Sequence, residues 1–165
     1  MPVIVPLERH HERTRFDCGV PELNTFLKAT ARQHSQKGIS RTFVLTERQT
    51  PGAIMGFFTL TLCEVRTEHL PERYARRYPA HGLPAVRLAR LAVSKKYQGK
   101  GYGALLLAEA VHRTVLIGEQ AGLIGLFVDA KNQAARTFYE KYGFAGLGGQ
   151  SSQLFLPLET LRAIG

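Results

Sequence analysis

The spacing of apolar residues changes along the chain and marks out its elements. A short, β-branched apolar run at residues 3–5 predicts a strand. A turn carrying Asp17, Cys18, Gly19 and Pro21 follows, and then the period lengthens. Leu23, Phe26, Leu27 and Ala31 form the stripe of an amphipathic helix that begins at Pro21 and runs to about residue 36, with Gly38 just beyond it. Residues 41–46 and 54–65 return to strand-like runs, separated by a turn over 49–52. Residues 66–84 (RTEHLPERYARRYPAHGLP) have no period, are bounded by prolines, and read as a loop or short helix. Residues 86–93 predict a strand, and 101–116 a helix that turns Leu105, Leu106, Ala108, Val111 and Val115 toward a core. Residues 123–129 form a continuous apolar strand, 132–142 a second helix and 153–158 a final strand. Strands and helices alternate in the second half, so the fold class is α/β. No repeat, low-complexity tract or linker interrupts the 165 residues, a length that suits one domain over 1–165.

Composition narrows the function classes. With 44% hydrophobic and 21% charged residues, the chain has ordinary globular usage and is not a disordered segment. No run approaches the roughly 18 apolar residues of a membrane span, and the first eleven residues lack the apolar core of a signal peptide. A soluble cytoplasmic protein is expected. Cys18 and Cys63 are too few for a disulfide framework, and the six histidines lack metal-ligand spacing, so free thiols and no metal are expected. Charge is the unusual feature: 22 basic against 13 acidic side chains leave +9. Residues 1–100 hold 17 basic and 8 acidic side chains and carry that whole excess; residues 101–165 hold five of each. The sign favours an anionic partner, a nucleic acid or a phosphorylated cofactor.

The densest chemistry lies in residues 87–103, RLARLAVSKKYQGKGYG. A strand runs straight into Gln98, Gly99, Lys100, Gly101, Tyr102 and Gly103, where a helix starts. Glycines allow a tight turn with bare N–H groups facing an anion, and a helix N-terminus adds oriented donors, so a diphosphate suits the spot. Lys95, Lys96 and Lys100 add full charges. The stretch is neither a P-loop, since no Ser or Thr follows a glycine–lysine pair, nor a dinucleotide fingerprint, since its spacing is G-x-G-x-G.

Gln98, Gly101 and Gly103 fill the Q/R-x-x-G-x-G/A signature of the GNAT acyl-CoA N-acyltransferases. Residues 129–144 (DAKNQAARTFYEKYGF) resemble that superfamily's second motif, which closes in F-Y-x-x-x-G-F. Further matches lie at Phe16-Asp17-Cys18-Gly19, Leu23-Asn24, Arg41-Thr42 and Met55-Gly56-Phe57-Phe58. With these the chain resembles, over nearly its whole length, the acetyltransferase toxins of bacterial type II toxin–antitoxin pairs.

That resemblance implies a central mixed, mostly antiparallel twisted sheet of six to seven strands flanked by helices. It implies acetyl-CoA as co-substrate and the α-amine of the amino acid on charged tRNA as acceptor, an acetylation that blocks translation. A ribbon-helix-helix antitoxin is the implied partner; the pair would repress at operator DNA through that antitoxin alone, and homodimers are common. Main-chain groups of Leu91, Ala92 and Val93 are expected to pair with the pantetheine arm, with the Leu91 or Ala92 N–H region polarising the thioester carbonyl. Gln98 to Gly103 would hold the diphosphate, and Asn132 would hydrogen-bond the pantetheine arm or sulfur side. Tyr139, at the tyrosine of the second motif, is the expected general acid for the departing thiolate.

No residue announces itself as general base; Glu64, at a strand end, is the one candidate. An α-amine, with a pKa of roughly 7.7–8, needs less help than a lysine near 10.4. Candidates for tRNA contact are Arg73, Arg76, Arg77, Arg87 and Arg90, with Lys28, Arg32 and Lys37 by the first helix, and the Arg76–Arg77 pair comes first. Arg90, inside the strand beside the thioester site, could instead orient substrate or be structural, and Tyr74 and Tyr78 are possible stacking partners. Two rivals stand beside this reading: an acetyltransferase for a small amine or protein N-terminus, and a binding module without turnover. A cationic small amine would call for an acidic pocket, which the basic half does not offer.

Overall fold

The computed structural model describes residues 1–147 and 151–164. Among them, seven strands join one sheet in the order β1-β2-β3-β4-β5-β7-β6. They are β1 (Pro2–Pro6), β2 (Arg41–Glu47), β3 (Gly56–Arg66), β4 (Gly82–Val93), β5 (Gly125–Asp129), β6 (Ala145–Gly146) and β7 (Gln153–Pro157). The β4–β5 pair is parallel; β1–β2, β2–β3, β5–β7 and β6–β7 are antiparallel. The sheet is therefore mixed and mostly antiparallel, as expected. No helix among the described residues is long and apolar enough to cross a membrane.

The chain divides into two compact units, residues 1–61 with 89–110, and residues 62–88 with 111–165. In the first unit, the stretch predicted as one helix is three segments: α1 (Pro21–Thr25), a π-helical turn (Phe26–Thr30) and α2 (Ala31–Gln36). The Ala31 N–H reaches back five residues to the Phe26 carbonyl, so this turn is one residue wider than an α-turn. Phe26, Leu27 and Ala31 are all buried against Phe16, Val44 and Phe57, with Phe16 edge-on to Phe57 at 5.4 Å.

In the second unit, Phe127 stacks on Phe155 at 4.6 Å within a core that includes Leu70, Leu83 and Ile124. Residues 66–84 contain a 3-10 turn (Thr67–His69), α3 (Glu72–Ala75) and the start of β4, which begins before the predicted residue 86. Tyr74 sits edge-on to Phe155 at 5.4 Å, and the half-buried Tyr74 and Tyr78 pack part of each ring against this core. The expected last strand ends at Pro157, and Leu158 opens an unpredicted helix, α6 (Leu158–Ile164). Helix α5 (Gln133–Lys141) lies where 132–142 was predicted.

Helix α4 (Tyr102–Gln120) outruns the predicted 101–116. Its buried residues are Leu106, Leu107, Ala110, Val111 and Thr114, whereas Leu105 is 41% exposed. Ala108 is also exposed, so the inward stripe is rotated from the predicted one by about one residue.

Candidate active site

The β4–β5 register runs from Val86↔Leu126 to Leu88↔Val128 and stops there. Residues 89–93 of β4 continue with no β5 residue opposite them. Main-chain groups of Leu91 and the Val93 N–H can therefore take an extended ligand as an added strand, whereas the Ala92 carbonyl lies against Gly56 and the Val93 carbonyl accepts from a side chain.

Past Val93, a 3-10 turn (Lys95–Tyr97) leads into Gln98 and the glycines. Gly99 and Gly101 have φ of 76° and 85°, in the left-handed region that side-chain-bearing residues avoid. A Cβ on either would meet nothing within 4 Å, so open space lies over the turn. The Leu105 N–H bonds the Gly101 carbonyl at 3.2 Å. The N–H groups of Tyr102, Gly103 and Ala104, in the first turn of α4, thus precede the helical ladder and face outward with the positive end of the dipole. These donors fit a diphosphate. Lys96 and Lys100 flank the Tyr97 ring, while Lys95 is held 3.5 Å from the Asp17 carboxylate.

The Gln98 side chain does something other than the expected diphosphate contact. Its Nε2 donates to the Val93 carbonyl at 2.8 Å and to the Cys18 carbonyl at 3.0 Å, so it ties the turn to the strand before it and to a distant segment. That segment is braced in its own right. The Lys95 N–H donates to the Asp17 carbonyl at 2.8 Å. The Asp17 carboxylate accepts from the Gly19 N–H at 2.9 Å and from Asn24 Nδ2 at 3.0 Å, and Asn24 Oδ1 accepts from the Cys18 N–H at 2.9 Å. The Gly19 N–H first, then Asn24, hold the Asp17 carboxyl below the usual carboxylate range. Gly56 adds a close approach: a Cβ there would lie 2.9 Å from the Ala92 carbonyl oxygen and 3.0 Å from Leu106. Asp17, Asn24 and Gly56 thus support the turn, a role that sequence reasoning missed even though all three stand in recognisable motifs.

In the second unit, Tyr139 is buried on α5, edge-on to Phe138 and Phe144 at 5.1 and 5.4 Å. Burial pushes its phenol far above the usual tyrosine range, so the group holds its proton and can act only as a donor near neutral pH. Asn132 caps α5, its Oδ1 accepting from the Ala135 N–H at 2.8 Å. The cap occupies the carboxamide oxygen and leaves the amide N–H groups for a ligand. The exposed Glu64 side chain lies over Gly82, where a Cβ would collide with its carboxyl group.

The candidate RNA-binding arginines Arg76, Arg77 and Arg90 differ. Arg76 pairs with Glu72 at 2.9 Å and Arg77 with Glu159, all on exposed side chains. Such exposed pairs contribute little, so exchanging a carboxylate for a phosphate costs little. Arg90 is half-buried and stacks on the Phe26 ring, 3.6 Å from its centroid.

Residues 38–145 match the acetyltransferase (GNAT) domain family. The chain is 30% identical to the probable toxin TacT of Sinorhizobium fredii, covering 98% of this chain and 94% of that one. It is 33% identical to a tRNA-acetylating toxin of Mycobacterium tuberculosis, covering 92% and 89%. Among solved structures, AtaT complexed with acetyl-methionyl-tRNAfMet superposes with a TM-score of 0.92 at 30% identity, over 99% of both chains. A Tyr-to-Phe mutant of AtaT, bound to the C-terminus of the antitoxin AtaR and acetyl-CoA, gives 0.84 at 30% identity, over 99% and 97%.

Proposed function

We propose, from the premise that this chain belongs to the GNAT acetyltransferase family, that it transfers acetyl from acetyl-CoA to the α-amine of an aminoacyl group on tRNA. On this reading residues 1–165 act as one acetyltransferase domain, and the protein is the toxin of a type II toxin–antitoxin pair. Its partners are charged tRNA, a ribbon-helix-helix antitoxin that alone contacts operator DNA for repression, and a second copy of the chain. The observation that carries the reading is coverage: similarity to a tRNA-acetylating toxin extends over 92% of the chain, well beyond the cofactor turn. The AtaT complexes with acetyl-methionyl-tRNAfMet and with acetyl-CoA support both substrates.

Acetyl-CoA supplies an acetyl group activated as a thioester. The donors of Tyr102, Gly103 and Ala104 hold its diphosphate, over the space left by Gly99 and Gly101. Lys96 and Lys100 balance its charge. Main-chain groups of Leu91 and the Val93 N–H pair with the pantetheine arm, and an N–H near Leu91 or Ala92 polarises the carbonyl. Asn132 donates to the arm from its amide nitrogen. The acceptor nitrogen forms the new C–N bond as the C–S bond breaks; the nitrogen releases one proton to water, Tyr139 donates its own to the departing sulfur, and water returns a proton to the Tyr139 oxygen. Arg76, Arg77 and Arg90 hold the RNA.

Radiolabelled acetyl-CoA offered with charged tRNA, uncharged tRNA and small amines tests this. Label on charged tRNA alone is the expected result. Label on the small amines overturns the acceptor, and label on none overturns the enzyme.

A further inference from the structure

Arg90 is a half-buried cation with no carboxylate within reach among the described residues. Its guanidinium lies flat enough over Phe26 for a centroid distance of 3.6 Å, so one face is covered by an aromatic ring. Phe26 opens the π-helical turn Phe26–Thr30, and wide turns of this kind are frequent at functional sites. Beside the pair lies an open pocket of about 460 Å³, lined by Pro21, Glu22, Thr25, Phe26, Thr30 and Arg90. Glu22 lines the pocket without pairing with the guanidinium. Burial of the guanidinium lowers its pKa from the ordinary arginine value, with no nearby carboxylate to offset the loss of water.

A planar, weakly hydrated cation backed by an aromatic ring is a stacking surface. Unpaired RNA bases stack on aromatic rings and on guanidinium planes, whereas a cationic small amine would be repelled here. We infer that the Arg90–Phe26 stack is the platform for the unpaired 3′-terminal base of the tRNA. This rests on the reading above and says where the acceptor end docks. A lysine would keep the charge and lose the plane, so the inference separates stacking from simple phosphate attraction.

The test is equilibrium binding of uncharged tRNA, intact or lacking its 3′-terminal adenosine, to the wild type, Arg90→Ala and Arg90→Lys, with melting temperatures as a check on folding. Removing the adenosine should weaken wild-type binding by about 5- to 150-fold, the span of base stacking. Arg90→Ala should lose a similar factor on intact tRNA and nothing more when the adenosine is removed, the signature of two groups in contact. Arg90→Lys should behave like Arg90→Ala. Additive losses overturn the platform, as does full retention in Arg90→Lys, which would make the contact one of charge alone. If the wild type acetylates charged tRNA while the losses are additive, only the platform falls. If it acetylates small amines alone, the underlying reading falls.

Discussion

Replacing Gln98 tests whether the cofactor turn is held in shape before its ligand arrives. Gln98→Ala deletes two hydrogen bonds, to the Val93 carbonyl at 2.8 Å and the Cys18 carbonyl at 3.0 Å. A neutral hydrogen bond contributes about 0.5–1.5 kcal/mol net. One of these bonds is exposed and the other partly buried, so water can replace part of the loss, and about 1–2 kcal/mol is the combined expectation. If that sum holds the turn in its binding shape, acetyl-CoA affinity falls about 5- to 30-fold. Titration calorimetry with acetyl-CoA reads this directly. Gln98→Arg keeps N–H donors at the same place and should retain most of the affinity. Gln98→Glu keeps the length but sets acceptors against two carbonyl oxygens, and should bind more weakly than Gln98→Ala. The reasoning is refuted if Gln98→Ala binds acetyl-CoA within about twofold of wild type.

Gly56→Ala would press a methyl group against the Ala92 carbonyl, which as backbone cannot swing aside. It should cost about 1–3 kcal/mol of stability in a thermal melt, together with weaker acetyl-CoA binding; an unchanged melting temperature would show that β3 can shift freely. Tyr139→Phe should slow turnover about 100-fold or more while leaving acetyl-CoA affinity intact. Near-normal turnover would remove the phenol from the mechanism. Reversing Arg76 and Arg77 together to Glu should raise KM for charged tRNA and flatten its salt dependence, by about 0.7–0.9 in log–log slope for each phosphate no longer neutralised. An unaltered slope would place the RNA elsewhere.

The second half of the chain was the more legible from sequence, and the reason is local. The β4-to-α4 connection is fixed by glycines whose positive φ only that residue adopts easily, and α5 announces itself with the Asn132 cap. The π-helical turn at Phe26–Thr30 was not legible, because its apolar spacing also fits an ordinary helix. Only the i+5 bond from Ala31 to Phe26 distinguishes the two. The brace around Asp17 was hidden for another reason. The segment that holds Asp17 and Asn24 lies far from Gln98 in sequence, and the bonds joining the two run through main-chain carbonyls that carry no sequence signal. The packing of Tyr74 and Tyr78 was not legible because periodicity is absent from 66–84, and their half-burial comes from tertiary packing on the core around Phe155.

Proton balance is where the buried phenol and the missing base meet. A group pushed above the usual tyrosine range keeps its proton at every physiological pH, so Tyr139 cannot accept one from the amine. The same shift makes it a reluctant donor toward a thiolate, whose conjugate thiol has a pKa of only about 8.5 in water. The transfer becomes favourable only if the sulfur is desolvated too, since burial raises a thiol's pKa in the same direction as a phenol's. A buried acid therefore asks for a buried leaving group. The acceptor side has the opposite requirement. An amine that must arrive neutral, without a base to deprotonate it, has to have a pKa near ambient pH, and an aminoacyl α-amine meets that condition at roughly 7.7–8 where a lysine near 10.4 does not. A tyrosine that cannot take the amine's proton, with no base assigned beside it among the described residues, thus fits the proposed α-amine acceptor, an argument separate from the +9 charge of the chain.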